Sequence, residues 1–459
     1  MLSHPLKDFA MNTIAEQIAA FQTTPQRVLD IAEAQLSRAL DPQGEGARVF
    51  VSINETAVRA AANESMQRYR DGAARLLEGI TISIKDLFDV KGEVTTAGST
   101  VLRERAAASA DAPAVARLRE AGAILMGRTN MTEFAFSGIG INPHYGTPRS
   151  IWDRRADGSG RIPGGSSSGG GVSVADGMCS AALGTDTGGS VRLPSVFNGL
   201  VGFKPSAYRV PILGGIPLSV AHDSIGPLAK SVDDCIRIDR VLSGQTLDTT
   251  PVDLRRVRFL KPKSIIWEQL DPEVECATLA AIEKLRSAGA TIVEAPLAPL
   301  DEAFNTKNPS ISALALDWHN ENVGVNGQGY DPRVWQRMQL GRDVTRANLS
   351  WSIAYRRFWI DQMNMILADY DAVLCPTSAC IAPDIASIVN GDDDHYFAIN
   401  ARILRNTTWV NALDGCAISL PCHSEGAAPV GLQLAATHAS DARLLGIAQS
   451  VESCLQNYV

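Results

Sequence analysis

The 459-residue sequence lacks the long apolar run that a membrane-spanning helix requires, and its N-terminus lacks a basic segment followed by an apolar stretch. We therefore expect no membrane span, no secretory signal and a cytoplasmic location. The chain is also short of positive charge, with 42 basic against 50 acidic residues and a formal net charge of −8. Because phosphate binding needs a basic surface, this balance argues against nucleic acid as the main partner.

Paired metal-ligand and disulfide patterns are also missing. The eight cysteines form no CxxC pair, and the seven histidines show no HxxxH-type spacing. In a long chain this pattern favours free thiols over disulfides or a zinc site. The sequence lacks a GxxxxGK[ST] motif and a GxGxxG motif at a strand-to-helix turn, which argues against nucleotide binding. We therefore expect no metal and no cofactor.

Apolar periodicity predicts an α/β fold, with a large mixed, mostly parallel sheet covered by helices on both faces. The predicted helices cover 12–40, with Thr24 and Pro25 at a helix start, 54–70, 113–121, 271–289 and 441–454. The predicted strands are 79–84, 123–127, 256–262, 291–296, 372–377 and 429–436. Because the region 300–360 has a weaker strand signal, we expect a helical layer there.

No composition shift marks a domain boundary, so we expect a single domain over residues 1–459. Within it, the segments differ in predicted content: N-terminal helices to about residue 75, a core from 76 to 240, and the remaining sheet with a helical layer from 241 to 459.

The regular alternation stops between residues 158 and 190, where 18 of 33 residues are glycine or serine. Within that stretch, residues 172–186 have the apolar content of a buried helix followed by a buried strand, which a flexible linker would lack. Ordered glycine-rich backbone between apolar segments is typical of a functional site.

A first hypothesis places a nucleophile at Ser167. The sequence GSSSG at 165–169 matches GxSxG, in which the central serine is exposed at a strand-to-helix turn. However, the preceding residues do not resemble a strand, and the motif needs a histidine late in the chain. The candidates are His395, His423 and His438.

A second hypothesis places the nucleophile at Ser190. GTDTGGS at 184–190 follows an apolar run and precedes a segment that can begin a helix. Converging backbone N–H groups near a helix start can bind a developing oxyanion, and glycines leave room for the substrate. The donors would be the N–H groups of Thr187, Gly188, Gly189 and Ser190.

A serine hydroxyl becomes a good nucleophile only when a base takes its proton, and no histidine lies near either serine segment in the sequence. Lys85 ends the apolar run ISIK, and burial there would lower its pKa from about 10.4. A lysine at a strand end can equally extend into solvent. From these residues alone, both interpretations stay open.

The segment 163–206, PGGSSSGGGVSVADGMCSAALGTDTGGSVRLPSVFNGLVGFKPS, closely resembles the signature of the amidase signature family of hydrolases. The resemblance extends to GITISIKDLFDVKGEVTTAGS at 79–99 and AGAILMGRTNMTEFAFSGIGINPHYGTPRS at 121–150. It implies the fold of that family and the hydrolysis of amides.

The resemblance also implies a Ser–Ser–Lys triad. By position, Lys85 is the base, Ser166 is the bridging serine that follows a cis peptide bond, and Ser190 is the nucleophile. Lys85 would take a proton from Ser166, which takes one from Ser190 as this attacks the amide carbonyl. Ser166 would then protonate the leaving nitrogen, and water would hydrolyse the acyl-enzyme.

The same resemblance implies supporting roles for other residues. Phe136 and Ser137, in EFAFSG, match the family segment along the acyl side of the substrate. We expect Ser167, Asp186 and Arg192 to support the site rather than to take part in the chemistry.

We therefore expect a stand-alone amidase that acts on a small carboxamide or on an aryl or acyl amide. One alternative is the glutamine-hydrolysing component of a tRNA-dependent amidotransferase, which passes ammonia to a partner. Another is a non-catalytic binding scaffold, against which the intact triad residues argue. The expected partner is a small amide, and the sequence leaves a homodimer open.

Overall fold

The computed structural model describes residues 13–305, 310–324 and 326–456. The predictions that fall on the remaining positions, at 1–12, 306–309, 325 and 457–459, lie outside the described residues. The described strands are β1 Phe50–Ser52, β2 Thr81–Lys85, β3 Ile124–Thr129, β4 Ala181–Asp186, β5 Val201–Lys204, β6 Ser224–Ala229, β7 Arg258–Lys263, β8 Thr291–Pro296, β9 Ala372–Pro376, β10 Cys416–Pro421 and β11 Gly431–Ala436.

Helices surround the sheet along the whole described chain. The first eight are α1 Ile14–Thr23, α2 Arg27–Ala39, α3 Gly46–Val49, α4 Glu55–Arg70, α5 Pro113–Glu120, α6 Ser168–Ala175, α7 Arg192–Val196 and α8 Val232–Ser243. They are followed by α9 Pro272–Ser287, α10 Ala298–Asn305, α11 Ser310–Asn322, α12 Pro332–Gln339, α13 Arg346–Leu367, α14 Ile385–Val389, α15 Asp393–Ala412 and α16 Asp441–Gln456.

The eleven strands form one sheet in the order β1-β3-β2-β4-β6-β5-β10-β11-β9-β7-β8. Among these described strands, four neighbouring pairs are parallel and six are antiparallel. The predicted α/β class is confirmed, but the expected excess of parallel pairs is wrong. The reason is that β6 lies between β4 and β5, and β11 lies between β10 and β9, each antiparallel to both neighbours.

The predicted helix start at Thr24 and Pro25 is also wrong. The Thr24 N–H donates to the Ala20 carbonyl and so ends α1, while α2 begins at Arg27 with Gln26 as its N-cap. The Thr24 side chain therefore does not cap α2. The predicted helical layer is present in the described part of 300–360, as α10 to α13.

Two parallel neighbours, β2 and β4, position the candidate site. All residues of both strands are buried, which matches their apolar sequences. Because parallel strands end at the same edge of a sheet, their last residues, Lys85 and Asp186, lie near each other. The glycine-rich helix α6 packs beside this edge, where a Cβ on Gly169 would come within 2.9 Å of the Asn130 backbone.

All eight cysteines are free thiols, as predicted. Within the described ranges, none of the helices combines the length and the hydropathy of a membrane span.

Candidate active site

Lys85 lies at the end of β2, and its side chain is fully buried. Its Nζ is 2.7 Å from Ser166 Oγ and 2.8 Å from Thr185 Oγ1. Burial lowers the pKa of Lys85 to about 7, although the carboxylates of Asp186 and Asp223 act in the opposite direction. The lysine is thus held inside the protein rather than extended into solvent, and it can lose its proton near neutral pH.

Residues 163–167, the serine loop, lead into helix α6 with a cis peptide bond between Gly165 and Ser166, as the resemblance implied. The Gly165 N–H donates to the Gly138 carbonyl at 2.7 Å. A Cβ on Gly165 would lie 2.7 Å from the Ser137 carbonyl oxygen, so no larger residue fits without displacing that segment. The Ser166 side chain is fully buried.

Asp186 and Arg192 form a buried ion pair that holds residues 186–190, the DTGGS loop. Arg192 donates to both carboxylate oxygens of Asp186, at 3.0 and 2.8 Å. Burial alone would raise the pKa of Asp186, but the charge and hydrogen bonds of Arg192, with the Lys204 charge and the Asn411 hydrogen bond, together lower the pKa to about 2. The guanidinium also donates to the Thr407 carbonyl and to the side chains of Asn411 and Gln433. The pair is therefore ionised and richly hydrogen-bonded.

The same carboxylate accepts backbone N–H groups from its own loop. The Gly189 N–H donates to Asp186 Oδ1 at 2.8 Å, and the Val191 N–H donates to Oδ2 at 3.2 Å. The Gly189 N–H is thus not free to meet a substrate, which corrects its predicted place among the oxyanion donors. The N–H groups of Thr187, Gly188 and Ser190 stay candidates for that role.

Ser190 is 4% exposed and follows Gly189, whose φ is +135°. The helix expected after Ser190 is present as α7, which begins at Arg192 with Val191 as its N-cap and has only five residues. The Ser167 N–H donates to the Ser190 carbonyl at 3.4 Å, so the serine loop and the DTGGS loop are in contact. Among the described residues, no hydrogen bond joins the Ser166 and Ser190 hydroxyls. The proton transfer between these two serines therefore stays a prediction.

Helix α15 and the segment before β6 hold the DTGGS loop from its other side. Thr407 and Thr408 both donate to the Gly188 carbonyl. The Thr187 hydroxyl donates to Asp223 Oδ1 at 2.5 Å. Burial raises the pKa of Asp223 to about 6, against the opposing effect of this hydrogen bond.

Phe136 and Ser137 lie next to the serine loop, through the contact of Gly138 with Gly165 described above. The Ser137 hydroxyl donates to Asn400 Oδ1 at 2.9 Å, and the same oxygen accepts the Gly138 N–H. The buried Phe136 receives a hydrogen bond on its carbonyl from Arg337. The structure thus brings the predicted substrate-lining segment next to the loop that carries Ser166.

The alternative nucleophile, Ser167, has no histidine partner among the described residues. Its hydroxyl lies 3.5 Å from the Thr185 carbonyl, which fits the predicted supporting role. His423 and His438 each contact a backbone carbonyl elsewhere, and His395 lies near the start of α15. His222, which precedes Asp223, contacts the Ser219 hydroxyl instead, and burial lowers its pKa to about 3.

Sequence reasoning missed several residues that contact the candidate site: Thr185, Asp223, Asn400, Thr407 and Asn411. Thr185 is the one that could most easily have been predicted, because it directly precedes Asp186 in the motif. The others come from distant segments, and no local pattern in the sequence connects them to the motif.

The family model described as Amidase matches residues 30–445. The chain belongs to the Amidase family. It is 32% identical over 428 residues to 2-amino-5-chloromuconic acid deaminase of Comamonas testosteroni, with 92% of this chain and 91% of the relative covered. It is also 32% identical over 482 residues to the A component of the glutamyl-tRNA(Gln) amidotransferase of Chloroflexus aggregans, with 96% of each covered.

Solved structures agree with this membership. A crystal structure of an amidase superposes with a TM-score of 0.83 at 31% sequence identity, and the match covers 96% of this chain and 99% of that one. This amidase is therefore a hydrolase that acts on C–N amide bonds.

Proposed function

We propose that this amidase cleaves a small amide through an acyl-enzyme on Ser190, with Lys85 as the base and Ser166 as the proton relay. The observation that carries the proposal is the 2.7 Å contact between the buried Lys85 Nζ and Ser166 Oγ. Burial brings the pKa of Lys85 to about 7, near the pH at which a general base works best.

The proton path has two steps. Neutral Lys85 accepts the proton of Ser166, and Ser166 accepts the proton of Ser190 as its Oγ attacks the amide carbon. When the C–N bond breaks, Ser166 returns a proton to the leaving nitrogen, which an amide needs in order to depart. Water then attacks the ester along the same path and releases the carboxylate.

The negative charge of the tetrahedral intermediate needs preorganised donors. In the proposed mechanism these are the N–H groups of Thr187, Gly188 and Ser190, in a loop that the ion pair of Asp186 and Arg192 holds in place. Removing one such donor typically costs about 10²- to 10³-fold in kcat. Phe136 and Ser137 would contact the acyl part of the substrate.

The proposed substrates are small carboxamides and aryl or acyl amides. A second candidate function is glutamine hydrolysis within an amidotransferase complex, and the match to the Chloroflexus aggregans protein along 96% of both chains favours it. Ammonia release from glutamine that requires a co-purified partner would support this alternative. Hydrolysis of simple amides by the purified chain alone would support the first.

A covalent probe tests the proposed chemistry. A fluorophosphonate should add one adduct to the purified protein, and peptide mass spectrometry should locate it on Ser190. Ser190→Ala should abolish both labelling and turnover. The matched control is Ser168→Ala, a buried serine of the same sequence run that contacts the Asn130 carbonyl, which should still be labelled. A label on any other serine would contradict the proposal.

A further inference from the structure

A cavity opens beside the DTGGS loop, among helices α10, α11, α13 and α15. The space in it that a water-sized sphere can occupy is about 180 Å³, and the cavity is partly open to solvent. Its walls are mostly carbon, and the large apolar side chains that line it are Leu300, Phe304, Ile311, Tyr355, Trp359 and Trp409.

Two polar residues connect this cavity to the DTGGS loop. Thr408 lines the cavity and donates to the Gly188 carbonyl at 3.3 Å. His222 also lines it, and the next residue, Asp223, accepts the Thr187 hydroxyl. The cavity wall therefore contacts Gly188 through Thr408, and Thr187 lies one further residue away through Asp223.

The polar atoms of the cavity wall are largely satisfied within the protein. The indole N–H of Trp359 donates to the Pro299 carbonyl at 2.7 Å, and that of Trp409 donates to the Asn406 carbonyl at 3.0 Å. Their ring systems thus contribute apolar surface.

The charged and titratable groups at the cavity wall are already paired or neutral, so they would not balance the two charges of a zwitterion. Arg356 forms an ion pair with Asp414 and donates to the carbonyls of Asn411 and Ala412. Burial lowers the pKa of His222 to about 3, so this imidazole is neutral at physiological pH. Because a buried charge needs a partner, the α-ammonium and α-carboxylate of glutamine would be poorly compensated here.

We propose that this cavity holds the apolar group, aryl or branched alkyl, of the amide substrate and makes the enzyme favour such amides over glutamine. The inference rests on the proposed function, since it assigns the substrate class of the same site. The cavity acts by removing apolar surface from water, so its contribution should grow with the size of the group until the walls are met.

The first test substitutes a residue of α10 that lines the cavity and is not part of the DTGGS loop. Ala303 lines the cavity, and Ala303→Phe should partly fill it. We expect kcat/KM for phenylacetamide to fall by about 10- to 100-fold, while kcat/KM for acetamide changes by less than about threefold. Ala298→Phe, on the exposed side of the same helix, is the control and should leave both values unchanged.

A second variant works in the opposite direction. Phe304→Ala enlarges the cavity and should raise kcat/KM for 2-naphthylacetamide relative to phenylacetamide. If Ala303→Phe affected acetamide and phenylacetamide equally, or if neither variant changed the ratio of large to small substrates, the proposal would be overturned. A wild-type preference for glutamine over phenylacetamide would overturn it as well.

Binding separates this proposal from the proposed chemistry. Calorimetric titration of Ser190→Ala with phenylacetamide should show binding that Ala303→Phe in the same background abolishes. If the fluorophosphonate failed to label Ser190 while this binding pattern held, the catalytic assignment would fail and the cavity assignment would stand. If Ser190 were labelled but Ala303→Phe left the binding unchanged, the cavity assignment alone would fail.

Discussion

The Nζ atom of Lys85 lies 2.7 Å from the Oγ atom of Ser166, inside a strand end that is closed to solvent. Its second contact, Thr185 Oγ1, is also a hydroxyl. Among the described residues, no carboxylate lies within ion-pair distance of this amine. Desolvation of its charge is only partly offset by the more distant carboxylates of Asp186 and Asp223, which is why this lysine is available as a base near neutral pH.

Replacing Lys85 by methionine should remove the base without leaving a buried charge. We expect kcat to fall by about 10²- to 10⁴-fold, the range of general-base catalysis, while the protein stays folded. The matched control is Lys204→Met. Lys204 is also fully buried, but its Nζ donates to the Pro205 carbonyl and to that of Gly415. Steady-state kinetics and circular dichroism of both variants check this, and equal losses of activity would contradict the assigned role.

The free energy of unfolding should depend on pH through Lys85. Its native pKa is lowered to about 7, against an ordinary value of 10.5. Between these values the unfolded chain binds the proton and the native protein does not, so the wild type gains stability as the pH rises. Urea unfolding can be measured for the wild type and Lys85→Met from about pH 7 to 10. Over that range the free energy of unfolding of the wild type should rise by a few kcal/mol relative to that of the variant. A constant difference would indicate an ordinary pKa.

Asp223 should tune the base. Its negative charge raises the pKa of Lys85, so Asp223→Asn should move the acidic limb of the kcat/KM profile to lower pH. Because asparagine can still accept the Thr187 hydroxyl, we expect less than about a tenfold loss at the pH optimum. Full pH profiles of wild type and variant check the direction, and a limb moved to higher pH would contradict it.

Arg192→Met should leave the Asp186 carboxylate buried without its cation. Losing one partner of a buried ion pair costs about 3–5 kcal/mol. The pKa of Asp186 is lowered to about 2, so the stabilisation is present above its ordinary value of 3.8 and is lost as the pH falls through 2. Urea unfolding at neutral pH should show the loss. Double replacement by Asp186→Asn and Arg192→Met should recover part of it, whereas additive losses would contradict the coupling.

The sequence marked the predicted triad residues more clearly than their surroundings. Lys85, Ser166 and Ser190 each stand in a motif, and the strand predicted at 79–84 is present as β2, which ends at Lys85. The structure brings Lys85 and Ser166 into contact, and the catalytic roles stay predictions. The strands β1, β5, β6 and β10 were missed, and with them the antiparallel insertion of β6 between β4 and β5. Nothing local in the sequence encodes which strand pairs with which.

The same limit applies to the contacts of the site. The Gly189 amide looked like an oxyanion donor because its neighbours have that pattern, but the Asp186 carboxylate, three residues away, takes its N–H. Asn400 contacts Ser137 across 263 residues of chain. The Asn400 contact follows from the packing of α15 beside the DTGGS loop, and pattern reasoning within one segment does not reach it.

The rate of Ser190 acylation as a function of pH tests the central claim most directly. The second-order rate of fluorophosphonate labelling, followed by intact-protein mass, should rise with pH through an inflection near 7 in the wild type. In Lys85→Met the labelling should be slower at every pH, and this inflection should be absent. An inflection near 7 that persisted in Lys85→Met would show that another group is the base.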